Sequence, residues 1–244
     1  MAAPSEHPIA SDVIDLAPQL AALDGASRVW LGEGRAPAAA GHPLLADQRA
    51  DGGWQPPWAQ RAASSGLDAT CHRLFQAYAA GLPLDTPALL AATEFLVRAV
   101  TAEGPLRENA TLLAEAPAWL AAEDPRAARY LAASAGLWLS VFGTADAAKR
   151  ALAQSRASDE MEFAQTLWQR AALAARLGAP GAADDLALLA TRLDTLAVAE
   201  LAWMLHALAL GGLTSGHPLI DAAAARVLAQ RDAPGWATPA TLAA

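Results

Sequence analysis

Four long apolar runs in this chain each end in glycine. They span Asp68–Gly81, Ala127–Gly143, Met161–Gly178 and Leu196–Gly212. Glycine just past a helical run closes a helix, because it enters the left-handed region without a Cβ penalty. Gly143, Gly178 and Gly212 follow one another at intervals of 35 and 34 residues. A period of that size marks stacked helical hairpins. Shorter, more charged segments alternate with the apolar runs. They read as amphipathic helices near Pro87–Glu103, Ala110–Ala122, Ala145–Arg156, Ala182–Leu193 and His217–Gln230. Two more are expected near Ala10–Leu23 and Pro37–Gln48, which brings the total to about eleven or twelve. The stretch from Pro56 to Gly66 carries Pro-Pro and Ser-Ser-Gly and reads as a loop.

Composition agrees with an all-α protein. Hydrophobic residues make up 54% and charged residues 17%. Alanine, the strongest helix former, and leucine dominate the apolar share. The residues favoured in strands are scarce. No linker divides the chain, so residues 1–244 are expected to form one domain.

Several function classes are disfavoured. The net charge is −8 and no basic patch is interleaved with aromatics, so no nucleic-acid partner is expected. Cys71 is the single cysteine and has no disulfide partner within the chain, which suits a reducing compartment. Met1–Pro8 contains Glu6 and no basic region leading into an apolar core, so a secretory signal is not expected. Leu196–Leu213 is the most apolar segment, but Glu200 and His206 lie inside it. It reads as a buried helix rather than a membrane span. Together these features predict a cytoplasmic protein.

A motif appears near each end. Leu45-Ala46-Asp47-Gln48-Arg49-Ala50-Asp51-Gly52-Gly53-Trp54 places a Gln and a Gly-Trp at fixed offsets after an apolar run. Leu228-Ala229-Gln230-Arg231-Asp232-Ala233-Pro234-Gly235-Trp236 repeats the pattern. The pair resembles the repeat of the squalene–hopene cyclase and protein prenyltransferase superfamily. In that superfamily the Gln ties the end of one helix to the start of the next, and the Trp stacks beside it. The resemblance implies an α/α toroid of two concentric rings, apolar helices inside and amphipathic ones outside. It also implies a polyprenyl or other apolar small molecule in a central cavity, with acid-initiated cyclisation or isomerisation as the chemistry. An apolar substrate brings contact with a membrane surface into consideration. Two other readings stay open: a non-catalytic ligand-binding or scaffold protein of the same fold, and an open helical-repeat interaction protein. The tetratricopeptide repeat has a similar period, but its Trp-Leu-Gly-Tyr-Ala-Phe-Pro consensus is not visible here.

The segment Gly66-Leu67-Asp68-Ala69-Thr70-Cys71-His72 opens the first apolar helix. Asp68 stands where it would cap that helix by accepting backbone N–H bonds. The resemblance offers a second role. Proton-initiated terpene cyclases carry Asp-x-Asp-Asp-Thr-Ala at such a helix start, and the middle aspartate is the acid. Asp68 matches that aspartate and Thr70 the threonine, while Gly66 and Ala69 replace the other two carboxylates. The same segment is similar to the Asp-Thr-Cys of the protein prenyltransferases, whose aspartate and cysteine bind zinc. Here Ala69 stands at that aspartate. Asp68, Cys71 and His72, with His206 or His217 as a fourth, would be the ligand set. One cysteine without a CxxC pair is a weak zinc signal, so no metal or other cofactor is expected.

Counting back from the terminal glycines places residues at equal heights. Asp68, Tyr130, Gln165 and Glu200 fall near the tops of the apolar helices. Cys71 or His72, Trp168 and Trp203 come one turn down, and Phe75, His206 and Trp138 lower still. Asp68, Glu200 and His206 are the acid–base candidates. His72, Phe75, Tyr130, Trp138, Trp168 and Trp203 are the substrate-binding candidates. Ring faces stabilise positive charge, and an apolar pocket excludes water, as carbocation chemistry needs. Aromatic residues at helical spacing equally serve to fill a core. A carboxylate at Glu200 needs a partner or a raised pKa. It would either face the cavity or pair with an arginine on a neighbouring helix. Asp184 and Asp185 read as helix-start charges. Missing from the sequence are an Asp-Asp-x-x-Asp diphosphate motif, a glycine-rich phosphate loop and the Gly-Cys-Gly-Glu-Gln thioester motif.

Overall fold

A computed structural model describes residues 42–61, 63–156, 162–213 and 216–229. Among the described residues the fold is all-helical, with one isolated β-bridge between Trp54 and Gly66 and no strand. The helices are α1 (Leu67–Ala79), α2 (Pro87–Thr101), α3 (Ala110–Leu113), α4 (Pro125–Val141), α5 (Ala145–Ser155), α6 (Ala164–Arg176), α7 (Ala182–Arg192), α8 (Val198–Leu210) and α9 (Pro218–Ala229). Short 3₁₀ turns lie at Pro43–Leu45, Ala118–Leu120 and Leu193–Thr195.

The four apolar runs are α1, α4, α6 and α8, and they end alike. Gly81, Gly143, Gly178 and Gly212 all have positive φ. In each case the next residue donates its N–H to the carbonyl five residues back: Leu82 to Ala77, Thr144 to Leu139, Ala179 to Ala174 and Leu213 to Leu208. That is the Schellman closure, and it frees the chain to turn straight into the following helix.

Two expected elements differ. Ala110–Ala122 is not one helix. It breaks after Leu113 and resumes as the turn Ala118–Leu120, because Pro117 lacks an N–H and drives Ala116 out of the helical region. Pro37–Gln48 shows, over its described part, only the turn Pro43–Leu45. The expected helix Ala10–Leu23 and the motif Gln230–Trp236 lie outside the described residues.

Helix α4 packs on α1, α5 and α6, α6 packs on α7 and α8, and α8 packs on α9. Helix α2 lies against α1, α4 and α5. The largest core cluster draws buried residues from all of α1, α2 and α4–α9. Small residues permit close approach. A Cβ on Gly136 of α4 would lie 2.6 Å from a Leu173 methyl of α6 and 2.8 Å from the Ala151 Cβ of α5. Arginines close the helix ends. Arg176 donates to the Leu210 carbonyl at 2.9 Å, Arg192 to Glu162 at 2.8 Å, and Arg226 to Leu193. The Leu210 carbonyl ends α8 without an intrahelical donor and needs another.

The motif at Gln48–Trp54 performs a similar tie. Gln48 Nε2 donates to the Gly52 carbonyl at 2.7 Å and to the Ala88 carbonyl, in the first turn of α2, at 2.6 Å. Trp54 is 2% exposed, and its indole N–H reaches the Ala46 carbonyl at 3.1 Å. Its backbone N–H donates to Thr70 Oγ1 in α1 at 3.2 Å. The motif thus pins the starts of α1 and α2 together.

Candidate functional site

The start of α1 is organised from outside the helix. Gly66 has no side chain to cap it, and Glu108 takes that role from the segment before α3. Its carboxylate accepts the Leu67 N–H at 2.7 Å and the Asp68 N–H at 2.9 Å. Asp68 is therefore released from capping. Its Oδ1 accepts a hydrogen bond of 2.7 Å from Tyr130 Oη of α4. Burial raises the Asp68 pKa, and the Tyr130 bond and the nearby His72 oppose that rise. Burial likewise pushes Glu108 up to about 7, against the pull of its two backbone donors.

Below this pair lies a cavity of about 230 Å³ with walls from α1, α4, α6 and α8. Eight of the nine residues singled out from the sequence line it: Asp68, His72, Phe75, Tyr130, Trp138, Trp168, Trp203 and His206. Aromatic contacts join α1 to α8 across it. The rings of His72 and Trp203 are 6.3 Å apart, those of Phe75 and His206 4.5 Å, and those of Tyr78 and His206 5.8 Å. Burial lowers the His206 pKa to about 4, so its imidazole is neutral at pH 7. Burial also lowers the His72 pKa, with the Asp68 charge opposing it. Asp68 and Phe75 are seven residues apart, about 10 Å along a helix axis. The cavity thus has a carboxyl at one end and a neutral imidazole, against Phe75, at the other.

Glu200 is placed elsewhere. Its Oε2 accepts the Ala197 N–H at 2.9 Å, a cap on its own helix, and Oε1 accepts from Gln165 at 3.4 Å. The partner is a glutamine of α6, not an arginine. The zinc ligand set also fits poorly. The Asp68 carboxyl is engaged by Tyr130, and Cys71 is buried with its thiol pushed up, away from the thiolate a metal requires. Among the described residues, no three His, Cys, Asp or Glu side chains are grouped so as to hold a metal ion.

Three residues escaped the sequence. Glu108 lies in a segment with no pattern of its own. Trp119 follows the Pro117 break, and Phe163 precedes α6. Trp119, Tyr130, Phe163, Gln165 and Trp203 line a second chamber of about 310 Å³, which shares four of these residues with the inner cavity. A wide, polar groove of about 1170 Å³ lies on the other side of Glu108, along the Asp47–Ser65 loop.

Asp185 is also more than a helix-start charge. It forms a buried two-point pair with Arg170, whose third nitrogen donates to the Ser155 carbonyl at 2.7 Å. Glu162 and Arg129 extend the network. This group binds α4, α5, α6 and α7 behind the cavity.

Comparisons with family models, with curated proteins and with solved structures return no match. Among the described residues, no helix is long and apolar enough to cross a membrane.

Proposed function

We propose that the cavity binds an apolar, alkene-bearing small molecule such as a polyprenyl chain end, and that Asp68 protonates it to start a cyclisation or isomerisation. The supporting observation is the Asp68–Tyr130 hydrogen bond at the entrance to an aromatic chamber. A general acid must hold a proton and then have its conjugate base stabilised. Burial favours the protonated carboxyl, and Tyr130 donates to the oxygen that keeps the charge once the proton leaves. Proton transfer moves the alkene π pair into a new C–H bond, and the O–H pair stays on the Asp68 carboxylate. The faces of Phe75, Trp138, Trp168 and Trp203 stabilise the cation. Neutral His206 then takes a proton from carbon, and that C–H pair reforms an alkene. Solvent exchange returns both groups to their starting states.

The same proposal reads the helices as a closed toroid. The contact series α1–α4–α6–α8, the aromatic contacts between α1 and α8, and the Gln48–Trp54 tie support it. It places the chain with terpene cyclase-like proteins.

A binding role without turnover has one observation on its side. Gly66 and Ala69 stand where proton-initiated cyclases carry the two carboxylates that flank the acid. The deciding experiment incubates the protein with linear polyprenyl alcohols and hydrocarbons in deuterated water. Deuterium-bearing cyclised or isomerised product is expected from the wild type. In Asp68→Asn its formation should fall by about a hundredfold or more. Saturable binding of these compounds with no product would leave the binding role and remove the enzymatic one.

A further inference from the structure

The outer chamber has a composition that hydrocarbon binding alone does not require. Four of its five lining side chains are aromatic: Trp119, Tyr130, Phe163 and Trp203. The fifth, Gln165, is neutral and bonded to Glu200. Trp119 and Trp203 are 41% and 43% exposed, an unusual exposure for two such large rings. The Trp119 and Tyr130 rings stand 84° apart with centroids at 5.5 Å, so they form a corner rather than a stack. In an edge-to-face pair the two faces of the edge-on ring stay uncovered by its partner, and a cation can sit against them.

The surrounding charge has the same sense. The Glu200 carboxylate lies behind Gln165. The chain as a whole carries −8. Arg126 sits 4.9 Å from the Phe163 centroid and uses one face of that ring. Its charge is matched by Asp124, which it meets through both Nε and Nη2. No Lys or Arg is among the residues lining the chamber, as far as the described residues go. A cation entering it would meet aromatic walls with the Glu200 carboxylate behind Gln165, and the one arginine on those walls has its charge balanced by Asp124.

We infer that the outer chamber is a recognition site for a small quaternary ammonium group, held by Trp119, Tyr130, Phe163 and Trp203. A quaternary ammonium has no N–H to satisfy, which suits a wall with little hydrogen-bonding capacity. It is weakly hydrated, so its transfer to an aromatic cage is favourable where a primary ammonium would lose strong water contacts. The site stands independently of proton transfer at Asp68. Any alkyl substituent on the nitrogen would reach the inner cavity past Trp203, which both chambers share.

The test compares choline with 3,3-dimethylbutan-1-ol, its neutral isostere, by calorimetric titration of the whole chain. Choline is expected to bind about tenfold more tightly than the isostere, because only the charge differs. Trp119→Leu keeps an apolar wall and removes the π face. It should weaken choline by about fivefold or more and leave the alcohol within about twofold. A melting curve for the variant verifies that it folds, and Phe163→Leu provides a second probe away from Trp119. Equal affinity for the two ligands, or no binding of either, overturns the inference. Parallel weakening of both ligands in the two variants does the same. Titration of Asp68→Asn separates this site from the proposed reaction, since choline binding should persist there when turnover is lost.

Discussion

Tyr130 Oη donates to Asp68 Oδ1 at 2.7 Å, joining α4 to the first turn of α1 across the rim of the cavity. The bond lowers the Asp68 pKa against the rise caused by burial. Tyr130→Phe removes the donor and leaves burial less opposed, so the Asp68 pKa should rise further. An acid-dependent activity falls as pH rises through that pKa. In Tyr130→Phe the fall should move to higher pH while the plateau rate drops, because the carboxylate left behind has lost its stabilising bond. The Asp68→Asn, Tyr130→Phe double variant should be no slower than Asp68→Asn alone, since the two groups act as one unit. Strictly additive losses in the pH–rate profiles would argue against the coupling.

Stability against pH should reveal two opposing groups. His206 has a folded pKa lowered from 6.5 to about 4. The unfolded chain therefore binds more protons between those values, and stability is lost as pH falls through that window, by up to about 3 kcal/mol. Glu108 is raised from 4.5 to about 7. There the folded chain binds more protons, so stability is lost as pH rises from 4.5 through 7. In the wild type the two effects offset one another between pH 4.5 and 6.5. Denaturant titrations at pH 5 and pH 7.5 should separate them. Relative to wild type, His206→Leu should shift the balance toward higher stability at pH 5. Glu108→Gln cannot ionise, so it should lose the fall in stability between pH 5 and pH 7.5, while the N–H that its NH2 cannot accept lowers stability at both. Unchanged pH dependence in both variants would mean that neither group is perturbed.

Close packing should be hard to relax at Gly136. An added methyl there meets Leu173 and Ala151, both fully buried. Alanine in place of a helical glycine normally gains about 1 kcal/mol. Overpacking of a filled core loses about 1–3 kcal/mol. Gly136→Ala is thus expected to melt below wild type, and Gly136→Val lower still. A rise in melting temperature for Gly136→Ala would show that α4 and α6 separate without penalty.

How far the sequence reaches is visible in particular residues. The glycine stops gave the four apolar helices to within about three residues, because a Schellman closure is a local event with a single preferred residue. Helical spacing puts Asp68, His72 and Phe75 in one row of α1 and Trp203 and His206 in one row of α8, since rows along a helix follow from 3.6 residues per turn. Glu200 lies level with Gln165, as the counting expects, but takes neither the cavity nor an arginine. A carboxylate in the first turn of α8 finds the Ala197 N–H three residues back, and capping wins over facing a cavity. Ala110–Ala122 failed on Pro117. Glu108 could not be found, because its partners are 40 and 41 residues away and nothing local marks a loop carboxylate as the cap of another helix. The Arg170–Asp185 pair was hidden similarly, with each partner plain on its own helix.

The Gln48–Trp54 segment should act on stability as one unit. Trp54→Ala removes a nearly inaccessible indole from the core, a change that typically costs about 3–5 kcal/mol. Trp54→Phe keeps most of that burial and loses the 3.1 Å bond to the Ala46 carbonyl, so about 1 kcal/mol is expected. Gln48→Ala leaves the Gly52 and Ala88 carbonyls without their shared donor, a loss of about 1–3 kcal/mol. Gly52 itself has a φ of +90°, and a Cβ there would collide with the Ala91 carbonyl of α2. Gly52→Ala should therefore rank with Trp54→Ala, because neither the dihedral nor the contact can relax while Gln48 holds the loop against α2. The expected order of melting temperatures is wild type, Trp54→Phe, Gln48→Ala, then Trp54→Ala and Gly52→Ala together. Once Trp54 is gone the loop is already loosened, so Gln48→Ala added to Trp54→Ala should lower stability by less than it does alone. Thermal melts followed by circular dichroism measure all five. Full additivity would separate the glutamine from the tryptophan, and a wild-type melt for Trp54→Ala would remove the segment from the framework that positions Asp68.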